Sequence, residues 1–314
     1  MENFIFSINT ALPILLMTLL GMVLKKYGVL NDNSIPVLDR FAFKVGLPAL
    51  MFHNVATMDF YSEFSASFVL YCAGISLASF LIIWYISLKL FPDRSMAGAF
   101  AQGSVRGSVA VLGAAIVSSI YGSAGIAALM VAASVPIYNV MSVIILTFCG
   151  SSISDPHDRI RSALKGIITN PLILGIIAAL PFALLRIELP KGVYKAISDV
   201  ATTATPLSLM VIGASFSVAE ATARFKPALL ATAIKLLIFP ALSIPLAVML
   251  GFRDAALTSI ILMVGSASAP AGFLMARNMG CDGPLSANII MLSQISFPFT
   301  LAMWLFILKS LALI

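Results

Sequence analysis

One arginine dominates the chemistry this chain could perform. Arg106 lies about ten residues from either end of a long apolar stretch, within Gln102-Gly103-Ser104-Val105-Arg106-Gly107-Ser108. A guanidinium at that depth of a bilayer costs several kcal/mol unless it is paired or faces water, and it stays charged. Either a partner or an anionic ligand is therefore expected beside it. Gln102 is one helical turn earlier on the same face, and Ser104 and Ser108 share a neighbouring face. A second stretch answers it: Gly265-Ser266-Ala267-Ser268-Ala269-Pro270-Ala271-Gly272, eight residues with no side chain larger than proline. Pro270 removes a backbone N–H and frees the carbonyl four residues back, so a helix is expected to break there. Small residues let another backbone cross closely. Carriers bind small ions where broken helices cross at membrane depth. An internal ion pair, or hydrogen bonds from Arg106 to the carbonyls of a broken helix, is the plainer alternative.

Other polar residues inside apolar runs are candidates of a weaker kind. Asn139 and Gln294 place neutral amides there, where they either contact a substrate or join helices. Lys44 and Lys235 are long enough to snorkel toward a loop. His53 and Asp199 sit near the ends of apolar runs and read as interfacial. Pro48 and Pro206 are expected helix breaks or kinks, and Thr202, Thr203 and Thr205 could satisfy the freed groups or line a cavity.

The elements that must hold these residues follow from composition. Of 314 residues 60% are hydrophobic and 10% charged, and the mean hydropathy is +1.04. A soluble domain carries about 25% charged residues, so this is an integral membrane protein. The apolar runs have helix-spanning length, not the alternation of a barrel strand. Ten spans are drawn: 4–24, 35–56, 64–90, 96–121, 124–149, 164–185, 193–218, 228–250, 255–279 and 285–311. No basic stretch precedes the first run, which is read as a retained helix. The net charge of +6 is scattered over short loops and forms no nucleic-acid patch. Cys72, Cys149 and Cys281 have no paired spacing, so no disulfide or zinc site is expected. There is no phosphate-loop motif, only His53 and His157 as histidines, and no acidic residue secure at mid-span; these absences argue against an ATP-driven pump, a zinc protease and an aspartyl intramembrane protease.

The longest polar connection, around Asp155-Pro156-His157-Asp158-Arg159, divides the chain into 1–149, a linker 150–161 and 162–314. A shift of 158 residues brings Pro13 onto Pro171, Pro48 onto Pro206, Gly107-Ser108 onto Gly265-Ser266, Gly122 onto Gly280 and Gly125 onto Gly283. Prolines and glycines number only 16 and 20, which gives the coincidence weight as an internal duplication. Five spans per half is an odd number, so the second half must be inverted. Lys and Arg accumulate on the side of loops 1–2, 3–4, 5–6, 7–8 and 9–10, among them Lys25, Arg94, Arg224 and Arg277, which places both termini outside.

In these residues the chain resembles the auxin efflux carrier family, which includes bacterial malate and malonate permeases and the plant PIN-FORMED carriers. The resemblance rests on Leu47-Pro48-Ala49-Leu50-Met51-Phe52, Gln102-Gly103-Ser104-Val105-Arg106 followed by Gly113, Tyr121-Gly122 with Pro136-Ile137-Tyr138-Asn139, and Pro270-Ala271 with Ala276, Gly280 and Asp282. It covers essentially the whole chain. It implies an all-α membrane fold of ten helices in two inverted five-helix repeats, with spans four and nine broken and crossing at the substrate site. The crossing would involve Ser104 to Gly113 and Ser266 to Gly272, with Asn139 in the family's fifth-span motif. The family's fourth span usually has a proline and often an asparagine, and this one has neither. Expected, then, is a secondary carrier of small organic anions in the cell membrane, not an enzyme. Arg106, Ser104, Ser108, Gln102, Asn139, Ser266, Ser268 and Gln294 would bind substrate, and Gly107, Gly113, Pro270, Gly272, Pro48 and Pro206 would form the breaks. No cofactor is expected, and coupling to protons or sodium is open. Expected partners are the anion and the lipid bilayer, with no nucleic acid, and a homodimer is compatible with the apolar surface. A bile-acid-type sodium symporter and a non-transporting receptor are the rival readings.

Overall fold

Apolar side chains on every face leave these segments one way to satisfy their backbone in lipid, which is to bond within the segment as a helix. The computed structural model describes residues 2–56, 65–109, 114–121, 125–150 and 164–314, and among them every long element is helical. The chain runs as α1 (Glu2–Lys26), α2 (Ser34–Phe41), α3 (Leu47–Ala56), α4 (Ala66–Leu90), α5 (Arg94–Val105), α6 (Ala114–Tyr121) and α7 (Gly125–Gly150). It continues as α8 (Pro171–Leu185), α9 (Lys191–Ala214), α10 (Val218–Ala223), α11 (Phe225–Ala233), α12 (Phe239–Met249), α13 (Asp254–Gly265), α14 (Ala271–Asn278) and α15 (Gly283–Ser310). Among the described residues five helices are long and apolar enough to cross a membrane: Ala66–Leu90, Ile126–Gly150, Lys191–Ala214, Phe225–Met249 and Gly283–Ser310. The protein is a multi-pass membrane protein. The expected linker 150–161 and the expected break residue Gly113 lie outside the described residues, apart from Gly150 itself.

Two short π-helical turns join helices that otherwise run on. Ala42–Gly46 connects α2 to α3 and Ile234–Ile238 connects α11 to α12. Each lies just ahead of a proline, Pro48 and Pro240, whose missing N–H cannot close the ladder, so a wider turn absorbs the mismatch. Pro240 frees the carbonyl of Leu236, and Trp304 Nε1 donates to it at 2.9 Å. Pro206 is different. The expected break is absent there, and α9 continues through it from Lys191 to Ala214. A proline inside a helix costs one bond and bends the axis, and packing on both sides is sufficient to keep the rest of the ladder.

Packing groups α1, α3, α8 and α9 around one another, with α1 against α9 and α3 against both α8 and α9. A second group sets α4 on α5 and α7, α11 on α15 and α12 on α13. In the first group glycines allow backbone contact. A Cβ at Gly213 would lie 1.9 Å from the Thr18 carbonyl oxygen, and one at Gly21 would lie 2.2 Å from that of Met210. Since neither obstacle is a movable side chain, Gly213→Leu is expected to force α1 from α9. The cost is at least ~2 kcal/mol, read as a fall of roughly 4–8 °C in the unfolding midpoint in detergent. A midpoint unchanged from wild type would show that α1 and α9 can separate freely.

Candidate functional site

The site is built where two helices stop in the middle of the bundle. Asp93 caps α5 through a 2.8 Å bond from Ser95 N–H to its carboxylate, and the helix ends at Val105, where Arg106 turns to extended backbone. The fourth apolar run is thus interrupted without a proline. On the other side α13 ends at Gly265, Ser266 is extended, and α14 begins at Ala271 with Pro270 at its N-cap. The two interruptions meet in an antiparallel bridge between Gly107 and Ser268. Ser108 N–H donates to the Ala267 carbonyl at 2.9 Å and Ala269 N–H donates to that of Arg106 at 3.3 Å. Such irregular backbone is tolerable at membrane depth only where it is buried in protein or lines a cavity.

The groups freed by these breaks are met by side chains from other elements. Ser268 Oγ donates to the Gly103 carbonyl at 2.8 Å, and Lys235 Nζ to that of Val105 at 2.7 Å. Tyr138 OH donates to Met263 O at 3.0 Å, Ser268 N–H to Ser293 Oγ at 3.0 Å, and Gln294 Nε2 to Ser268 O at 3.3 Å. Ser104 Oγ is taken by the Phe100 carbonyl one turn back, at 2.7 Å.

Beside the crossing is a cavity of about 130 Å³ lined by Arg106, Gly107, Ser108, Tyr138, Asn139, Pro270, Asn54 and Thr205 among others. Arg106 is 6% exposed, and its Nη1 donates to Met275 Sδ at 3.1 Å. Gln102 Nε2 reaches the same sulfur at 3.6 Å. A thioether is a weak acceptor for a guanidinium. Among the described residues the ion pairs are Lys25–Asp32, Lys195–Asp199, Arg224–Asp282 and Arg277–Asp39, and Arg106 is in none. Asn139 is buried with neither amide atom hydrogen-bonded, and Gln102 Oε1, Gln294 Oε1 and Ser266 Oγ are likewise without a hydrogen bond. Buried polar atoms left this way cost about 1–3 kcal/mol each. Of these, Asn139 lines the cavity, and the other three lie around the crossing.

Of the residues singled out from sequence, the structure brings Arg106, Gly107, Ser108, Asn139, Thr205 and Pro270 onto the cavity. Gln102, Ser104, Ser266, Ser268 and Gln294 surround the crossing without lining that cavity, and Gly272 packs 3.7 Å from Gln102 Oε1 when a Cβ is added. Pro48 and Pro206 are not in its lining, although Thr205 beside Pro206 is, and the carbonyl of Pro48 closes on Gly175. Lys44 is exposed, His53 meets Tyr194 OH at 3.1 Å, and Asp199 pairs with Lys195 on the surface. Lys235, in contrast, does not snorkel: it is 0% exposed and turned inward. Asn54 and Met275 escaped the sequence reading. Asn54 follows the Leu47–Phe52 motif closely enough to have been a candidate, whereas nothing in sequence marks Met275. Larger cavities of about 330 and 310 Å³ flank Arg277 at the end of the bundle bearing Lys25 and Glu220. Arg277 is already held there by Asp39 at 3.3 Å and Ser215 at 2.9 Å. Chemistry, not volume, therefore selects the smaller cavity.

A family described as membrane transport protein matches residues 6–305. The chain belongs to this family, that of the auxin efflux carriers. An uncharacterized transporter of Methanothermobacter thermautotrophicus is 22% identical over 308 residues, covering 96% of this chain and 98% of its own. The crossing and its buried arginine therefore lie within a protein of a membrane transporter family.

Proposed function

We propose that this chain is a secondary carrier that moves a small organic anion, a mono- or dicarboxylate, by alternating access. The observation that carries the reading is Arg106, buried at a cavity with a thioether as the one partner of its guanidinium among the described residues. A carboxylate there would accept two parallel N–H bonds from the guanidinium. The Asn139 amide and Ser108 complete the polar wall, and the N-terminus of α14, opening at Ala269 to Ala271, offers partial positive charge. Ser268 holds the crossing, Ser104 is bonded within its own helix, and Gln102 and Gln294 lie around the crossing.

The architecture in this reading is ten spans in two inverted five-helix repeats, 1–149 and 162–314, in the cell membrane with both termini outside. The packing supports it. Exchanging each span for its counterpart turns the α1–α9 contact into the α8–α3 contact, α4–α5 into α12–α13, and α4–α7 into α11–α15. Each of these pairs is present.

Counterflow into proteoliposomes loaded in turn with malate, malonate, lactate and an indole carboxylate is the direct test. Saturable uptake of at least one is expected. Silence across the panel, from protein shown to be inserted and folded, would overturn the carboxylate assignment.

A further inference from the structure

Lys235 is a fully buried lysine with no carboxylate partner among the described residues, and the proposed transport mechanism does not use it. Its place follows from the chain around it. The π turn Ile234–Ile238 ahead of Pro240 adds a residue to the helix path, and Trp304 fixes the turn by holding the Leu236 carbonyl. The lysine stem then runs inward, and its Nζ meets the Val105 carbonyl, in the last turn of α5, at 2.7 Å. Lys44, in the comparable turn before Pro48, is exposed. Burial is thus particular to Lys235 and does not come with such a turn.

The C-terminal end of a helix carries partial negative charge on its unbonded carbonyls. In carriers with broken helices, such ends and the unwound carbonyls beside them are where a coupling cation is coordinated. Here the end of α5 is closed differently: Gly103 O takes Ser268 Oγ and Val105 O takes the Lys235 amino group. At α13, near its end, Met263 O takes the neutral Tyr138 hydroxyl. The two breaks are therefore closed by different groups, an amine at α5 and a hydroxyl at α13.

We infer that Lys235 is the resident cation of the crossing: its tethered ammonium occupies the α5 terminus where a mobile cation would otherwise bind, so the protein takes no alkali cation there. The inference rests on reading the crossing as the transport site. It assigns Lys235 a positioning role, holding the backbone from which Arg106 projects.

The test is thermal unfolding of the full-length protein in detergent, with sodium, potassium, methylammonium or choline chloride at equal ionic strength. Wild type is expected to unfold at the same temperature in sodium as in choline. Lys235→Ala is expected to unfold ~4 °C or more lower, with saturable recovery by methylammonium, which fits the vacated space, and none by choline. Lys235→Met, which refills that space without charge, should show no recovery. Saturable stabilisation of wild type by sodium overturns the inference, and so does a Lys235→Ala variant that methylammonium leaves unchanged. If the alanine variant does not fold, the wild-type comparison still decides. Because no organic anion is present, failure here is distinguishable from failure of the carboxylate assignment, which counterflow alone reads.

Discussion

Arg106→Ala is expected to abolish counterflow of the transported carboxylate while leaving the unfolding midpoint equal to wild type or higher. The sign of the stability change separates the two roles an intramembrane arginine can have. If Arg106 were structural, removing it would orphan its partners and destabilise the fold by several kcal/mol. Its one hydrogen-bonding partner among the described residues is Met275 Sδ at 3.1 Å, an acceptor that does not balance a buried charge. The guanidinium is therefore a burden on the empty protein, and deleting it relieves that burden. Transport should respond in the opposite direction. Losing a desolvated, charge-assisted pair costs about 2–5 kcal/mol, so apparent affinity should fall at least ~30-fold, which removes measurable uptake at micromolar substrate. Arg106→Lys keeps charge but not the planar fork, and should fall between the two. A variant that transports normally, or one that unfolds well below wild type, would take Arg106 out of the substrate site.

Much of this site was legible because its signals are strong in an apolar sequence. A charged residue at mid-span and a run of small residues around Pro270 are rare enough to stand out, and the structure joins them through the Gly107–Ser268 bridge. The break after Val105 was harder to read. No proline marks it, and what ends α5 is bonding from elsewhere in the chain: Ser268 Oγ on Gly103 O, Lys235 on Val105 O and Ala269 N–H on Arg106 O. Sequence periodicity carries no information about donors more than a hundred residues away. Pro206 shows the converse, a strong local breaker overridden by packing in α9. Lys44 and Lys235 could not be told apart from sequence. Both lie shortly before a proline inside apolar runs, and only what is presented to each, open surface or the end of α5, decides between exposure and burial.

The crossing should also tolerate no added atom at Gly107 unless space is made for it, and that requirement predicts a rescue. A Cβ on Gly107 would lie 2.4 Å from Ser266 Oγ, but 3.3 Å from Met263 O and from Val109 Cγ2. The last two distances are tight yet within reach of small adjustment; the first is not. Ser266 Oγ is buried with no hydrogen bond, so turning it aside costs no bond, but it must find another position within a fully buried site. Overpacking of this kind costs about 1–3 kcal/mol. That strain falls on the bridge which sets the direction of Arg106, one residue away. Gly107→Ala is therefore expected to reduce counterflow by ~10-fold or more. Ser266→Gly alone should leave uptake near wild type, because its hydroxyl neither lines the cavity nor bonds to the crossing. The double variant should recover most of the lost activity, a coupling of about 1–2 kcal/mol between neighbours that share one space. Two results would overturn this account. A double variant as poor as Gly107→Ala would place the obstruction at the Met263 carbonyl, and loss of uptake in Ser266→Gly would give that hydroxyl to the substrate.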